Sequence, residues 1–190
     1  MARGSQEREQ EFIATAKETT GHTIEEWMSL IEQAQLEPKP NTILKHIKAQ
    51  HGLNHLQANY LSGLYLNEGE PVFNYATLTE KLFDGHEQWR DLFTQLEAMV
   101  TGAFDDVVFV PTKAYFSIEG TKIFGCVKLT KKAIRYGLDL GTLPFEGRIQ
   151  KAKSLGAMPN ITHMIELQSV DDLDDSLQML TQTAFNQVHG

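Results

Sequence analysis

Cationic and aromatic side chains alternate along neighbouring segments between residues 106 and 140, which have the period-two pattern of β-strands. If apolar positions such as Ile123 and Val127 face a core, the intervening positions share the opposite face of the sheet. The residues predicted on this open face are Lys113, Tyr115, Ser117, Lys122, Phe124, Lys128 and Arg135. In proteins that bind single-stranded nucleic acid, bases stack on aromatic rings of a sheet, and the cations between these rings bind the phosphates. The pattern therefore predicts a surface that binds an anionic ligand or nucleic acid.

The same aromatic rings have a second explanation, because exposed aromatic side chains commonly mark a protein contact. In that case Tyr115 and Phe124 are covered by the N-terminal helices, by the loop 141–160, or by a second subunit in a homo-oligomer. Salt-dependent binding of an oligonucleotide distinguishes the two explanations.

The loop after the fourth strand carries Arg148, Lys151 and Lys153, and it borders the open face if it folds back over the sheet. Arg148 is the best anchor for a phosphate or a carboxylate, since a guanidinium group binds either of them bidentately. The alternative is an ion pair on the surface with Glu146 or Asp139.

In a strand, His163 shares a face with the apolar residues Ile165 and Leu167. It is therefore either buried beside the loop or catalytic. The catalytic alternative is an enzyme with a small anion-binding pocket at the sheet edge. Its residues would be Lys113, Tyr115, Arg148 and His163. No nucleophile elbow, P-loop, dinucleotide fingerprint or zinc-protease motif occurs in the sequence, so we lean against catalysis.

Two groups of residues have metal-ligand types, and both have simpler explanations. His51 and His55 are four residues apart, but Gly52 lies between them and predicts a helix–turn–helix corner. Four acidic residues begin the last helix, where negative charge is favoured by the helix dipole: Asp171, Asp172, Asp174 and Asp175. The order of helices and strands suggests a frataxin-like metal-handling protein as a third function, but there the acidic ridge lies chiefly on the first helix. We expect no metal and no cofactor.

Charge and cysteine content limit the function classes. The chain has 190 residues and a net charge of −8, yet residues 111–155 contain nine basic and three acidic residues, so this stretch carries +6 and the rest −14. Overall acidity argues against indiscriminate nucleic-acid binding. The single Cys126 has no cysteine partner, and residues 1–10 lack an apolar stretch, so we expect a cytoplasmic protein without a signal peptide or membrane span.

The elements that position these residues fall into two domains. A capping box at Thr23 and Glu26 begins one of four predicted N-terminal helices, and Pro71 lies in a turn-rich boundary. The predicted domains are a helical domain over residues 1–70 and an α+β domain over 76–190. In the second domain five antiparallel strands lie between helices, in the order α-β5-α, with a helical turn expected at 148–155.

Two stretches resemble uncharacterised bacterial families. Thr20–Trp27 (TGHTIEEW), with the histidines and the A-N pair of residues 44–59, resembles domain of unknown function 4287. Residues 82–185 resemble domain of unknown function 5655, labelled a predicted transport protein, through Lys113, Tyr115 and Ser117, Gly147-Arg148 and Thr162-His163. The two families commonly occur in this order. The resemblance implies two domains and no assigned activity.

Overall fold

The computed structural model describes residues 5–155 and 160–190, and the predicted loop residues Gly156 and Pro159 lie outside this part. The described residues form two compact units, which divide between Asn74 and Tyr75. The first unit contains α1 (Ser5–Thr20), α2 (Ile24–Gln33), α3 (Pro40–His51) and α4 (His55–Leu66). The second contains α5 (Tyr75–Phe83), α6 (Arg90–Ala103), α7 (Asp175–His189) and strands β1 (Val108–Pro111), β2 (Phe116–Glu119), β3 (Ile123–Leu129), β4 (Ile134–Leu138), β5 (Gln150–Lys151) and β6 (His163–Leu167).

Local capping signals place the helices of the first unit. The side chains of Thr23 and Glu26 each bind the other's backbone N–H group, which confirms the predicted capping box. A second capping box, of Asn54 and Gln57, begins α4. Gly52 ends α3 in the left-handed conformation with φ 67°, so His51 and His55 belong to different helices, as the corner requires.

The first unit has an apolar core and also buries the carboxylate of Glu9. Its core side chains are Phe12, Trp27, Ile31, Ile43, Ile47, Ala58, Tyr60, Leu61 and Leu64. Glu9 of α1 is completely buried, and its two oxygens accept N–H groups of Val72 and Phe73 at 3.1 and 2.8 Å. A buried charge requires such partners. Glu9 therefore fixes the segment that follows α4 to the first helix.

The second unit contains one antiparallel sheet with the strand order β1-β2-β3-β4-β6-β5. This confirms the α+β class and its antiparallel sheet. The sheet has six strands where the sequence predicts five, because Gln150 and Lys151 pair with β6 as an edge strand. The helical turn predicted over 148–155 is therefore wrong at these two residues.

Helices α6 and α7 pack on one face of the sheet and form the main core. Buried residues of this core include Phe93, Leu96, Val100, Phe116, Ile118, Phe124, Val127, Ile134, Tyr136, Leu138, Ile165, Leu167, Leu177 and Ala184. Its buried polar contact joins Tyr136 of β4 to Thr181 of α7 at 3.0 Å between hydroxyl oxygens. Among the described residues, every helix is too short or too polar to cross a membrane.

The opposite face of the sheet carries a smaller apolar cluster, called here the outer cluster. It consists of Cys126, Leu155, Ile161 and Met164, with Tyr115 and Ala152 packed against it. Gly137 of β4 lies beneath it, and a Cβ there would come within 2.5 Å of Leu155 Cδ1. Leu155 and Ile161 thus cover the middle of this face, and glycine at position 137 is what allows their close approach.

Candidate functional site: a cationic end of the sheet

The sheet register changes which side chains share a face. Ile118 pairs with Gly125, but the next residue, Glu119, pairs with Ile123, so β3 carries one extra residue at this point. Such an irregularity reverses the alternation of side chains. The prediction of Phe124 on the open face is therefore wrong: Phe124 is fully buried and packs edge-on against Phe185 of α7. Ile123, predicted inward, is 43% exposed.

Two other predicted residues also lie away from an open cationic face. Lys122 belongs to the turn between β2 and β3, at the opposite end of the sheet from Lys113, and its backbone N–H donates to His189 of α7. Ser117 has the predicted parity, but it is 2% exposed and its hydroxyl donates to Glu119 at 2.5 Å. The structure therefore does not bring Lys122 together with the other predicted cations, and the Ser117 hydroxyl already has a partner.

The turn between β1 and β2 presents Lys113 on a braced loop. The hydroxyl of Thr112 donates to the Tyr115 carbonyl at 2.6 Å and accepts the Tyr115 N–H at 3.1 Å, and the Thr112 N–H also donates to that carbonyl. Threonine side chains that bind the backbone of their own turn hold its conformation. Lys113 and Ala114 at the tip are exposed.

The turn between β3 and β4 is built in the same way. The hydroxyl of Thr130 donates to the Ala133 carbonyl at 2.7 Å and accepts the Ala133 N–H at 3.2 Å, which leaves Lys131 and Lys132 exposed at the tip. The indole N–H of Trp89 also donates to the Thr130 carbonyl at 2.7 Å. This second turn is therefore held from within and from the start of α6.

Both lysine turns lie at one end of the sheet. Phe116, at the end of the first turn, pairs with Val127, only a few residues before the second turn begins. Lys128 lies between the two turns on β3 and is half-buried. We call the four lysines at this end the cationic end: Lys113, Lys128, Lys131 and Lys132. Among the described residues, none of these four forms an ion pair.

Tyr115 and Arg135 lie beside the cationic end on the outer face. Tyr115 is half-buried against the outer cluster, where burial raises the pKa of its hydroxyl. Arg135 pairs with Lys128 across β3 and β4, and its Nε lies 3.2 Å from Glu166 Oε1 on β6. The charge of Arg135 is thus largely balanced by Glu166 within the sheet, whereas Tyr115 is partly exposed two residues after Lys113.

Arg148 is held by the start of the last helix. Its Nη1 donates to the Asp174 carboxylate at 2.9 Å, and its Nη2 donates to the Asp172 carbonyl at 2.7 Å. Asp174 also caps α7 by accepting the Leu177 N–H at 2.8 Å. The predicted ion pair of Arg148 is present, but its partner is Asp174. Neither Glu146 nor Asp139 binds this guanidinium group. Burial acts to raise the pKa of the Asp172 carboxyl. The hydrogen bonds from Gln168 and Ser169, together with the nearby charge of Arg148, nevertheless bring this pKa below its usual value.

His163 is buried and faces the helices. Its Nε2 contacts the Leu143 carbonyl at 2.7 Å and its Nδ1 the Thr162 hydroxyl at 2.9 Å, so both ring nitrogens have structural partners. Tyr115 lies on the opposite face, in contact with the outer cluster. The structure does not assemble the proposed enzyme pocket, because its members are divided between the two faces of the sheet.

The remaining reactive and acidic groups have structural environments. Burial raises the pKa of the Cys126 thiol to about 12, although nearby Lys128 opposes this, so the thiol is protonated at neutral pH. Across residues 5–155 and 160–190, no three histidine, cysteine or acidic side chains are grouped as metal ligands would be. The acidic start of α7 serves as helix cap and as partner of Arg148.

Comparison with protein families divides the chain in the same order as its sequence motifs. The model described as Domain of unknown function (DUF5655) matches residues 79–188, which is more than half of the chain. The chain belongs to this family. The model described as Domain of unknown function (DUF4287) matches residues 9–66, so both resemblances and their order are confirmed. The cationic end lies wholly within the DUF5655 region.

No curated protein and no solved structure shows a significant match to this chain. The DUF5655 description assigns no activity, so the functional argument depends on the site itself. The face predicted from the sequence does not include Lys131 and Lys132. Their signal was the repeated Thr-Lys pair, at 112–113 and 130–131, directly after two strands.

Proposed function

We propose that this protein is a non-catalytic binding module for an anionic ligand, held at the cationic end of the sheet. The observation that supports it is the pair of similarly braced turns, each of which exposes lysine at the same end. Lysines on fixed turns lose little backbone entropy when a ligand binds, because the turns are already ordered.

The charge distribution supports the same function. Four lysines that form no ion pair with a carboxylate of residues 5–155 or 160–190 belong to a chain whose net charge is −8. An anion approaching other parts of this chain is repelled on average, so binding is directed to the cationic end. A ligand held by such contacts releases counterions, and its affinity falls as salt rises.

The test is fluorescence anisotropy of a labelled oligothymidylate with the full chain at about 50 and 200 mM salt. If four phosphates are neutralised, affinity is expected to fall about 50-fold between these concentrations, from a slope of about −0.7 per contact. The double variant K113E/K131E should abolish most of the binding, since it reverses one charge on each turn.

The matched control is K122E/K151E, which changes the net charge equally but alters exposed residues away from the cationic end. Circular dichroism checks that both variants are folded. Equal loss of binding in the two double variants would show that only net charge matters. Absence of binding at low salt to both oligothymidylate and inorganic polyphosphate would refute the proposed function.

A further inference from the structure

The two lysine turns are separated by a fixed distance, and this distance restricts the ligand. Their tips belong to the hairpins β1–β2 and β3–β4, and β2 pairs directly with β3. Two strand spacings therefore separate the hairpin axes, which is roughly 10 Å. A chain of phosphates binds at both tips at once, whereas a single phosphate leaves part of the cationic end without a ligand.

We propose that the ligand is single-stranded nucleic acid, whose backbone crosses both turns while a base stacks on Tyr115. This deepens the proposed function and rests on it. Tyr115 directly follows the Lys113 turn, and it is half-buried against the outer cluster. A ring held in this way is a rigid platform for a base, and stacking tolerates any sequence.

Single strands fit this site better than two other polyanions. Inorganic polyphosphate carries the charges but has no base to stack. Duplex DNA carries both, but its bases are paired and stacked on each other, so none is free to cover Tyr115. The Tyr115 ring thus favours a polyanion that carries unpaired bases. The two lysine turns favour a polyanion that is long enough to contact both.

The first experiment tests the stacking. Oligothymidylate, a DNA duplex and inorganic polyphosphate are titrated into the full chain, with the unlabelled ligands measured by competition. The single strand should bind most tightly. Tyr115→Leu should weaken oligothymidylate binding about 5- to 150-fold and leave polyphosphate binding unchanged. Tyr115→Phe keeps the aromatic face and should bind like the original chain. Both substitutions retain apolar packing against the outer cluster.

The second experiment tests the pairing of the turns with K113Q, with K131Q/K132Q, and with the triple variant. For an oligonucleotide that spans both turns, each separate change already ends binding at two points. The fold-loss of affinity in the triple variant should therefore be well below the product of the two separate fold-losses. A mononucleotide should bind far more weakly than the longer strands.

The outcomes separate the two proposals. Equal binding of polyphosphate and single strand, with Tyr115→Leu silent, overturns the nucleic-acid inference but leaves the anion-binding function intact. Duplex binding as tight as single-strand binding also overturns the inference. If no polyanion binds at low salt, both proposals fail.

Discussion

At the scale of single residues, the first unit contains a histidine whose charge opposes folding. His51 lies edge-on to Trp27, with ring centroids 4.9 Å apart, and His22 contacts the same indole at 5.1 Å. Desolvation lowers the pKa of His51 below its ordinary value of 6.5, and the nearby His46 and His22 lower it further. The folded chain therefore binds a proton at His51 less readily than the unfolded chain does.

This shift predicts how stability depends on pH. The stabilising contribution is fully present above pH 6.5 and is lost as pH falls from there towards the folded pKa, because protons then favour the unfolded chain. In a Trp89→Phe background, emission of Trp27 reports urea unfolding at successive pH values. His51→Gln should flatten the decline below pH 6.5. An unchanged slope in that variant would contradict the assignment to His51.

At the scale of elements, the outer cluster depends on close contact of the Leu155 and Ile161 side chains with β4. A Cβ on Gly137 would lie 2.5 Å from Leu155 Cδ1, 2.7 Å from Ile161 Cγ2 and 2.8 Å from Cys126 Sγ. These separations are too short, so either the strand or these side chains must move.

We expect Gly137→Ala to lower the free energy of unfolding by about 1–3 kcal/mol, the cost of overpacking a filled core. The control is Gly102→Ala in α6, where a Cβ meets no atom within 4 Å and alanine favours the helix by about 0.5–1 kcal/mol. Urea unfolding measures both. If Gly137→Ala were as stable as the original chain, the outer cluster would not be closely packed in solution.

At the scale of the whole molecule, each unit has its own buried core. The core of the first unit is centred on Trp27 and Leu61, and that of the second lies between the sheet and helices α6 and α7. A core that is complete within one unit is the requirement for independent folding. We therefore propose that the two units are separate folding domains.

The corresponding prediction is that a fragment of residues 75–190 unfolds cooperatively on its own. Its thermal transition, followed by circular dichroism in the far and near ultraviolet, should be single and coincide in both regions. The fragment of residues 1–74 provides the companion measurement. Broad, non-coincident transitions in the larger fragment would show that its core needs the N-terminal helices.

Local signals in the sequence determined most of the secondary structure. Capping boxes act over four residues, so Thr23 and Glu26 indicate the start of α2 without knowledge of the rest of the chain. Alternating apolar residues likewise predict the strands and the α+β class, since a half-buried sheet imposes a period of two. The motifs at residues 20–27 and 44–59 were sufficient to indicate the family of the first region.

Only the tertiary structure decided which side chains meet. The extra residue in β3 reverses its alternation and buries Phe124, and this depends on pairing with β2. Arg148 finds Asp174 across 26 residues, and Glu9 binds Val72 and Phe73 across more than 60. The cationic end arises because β2 and β3 are neighbours, which brings two distant Thr-Lys turns together. Each of these contacts joins residues far apart in the chain, and its free energy exists only once the intervening chain has folded.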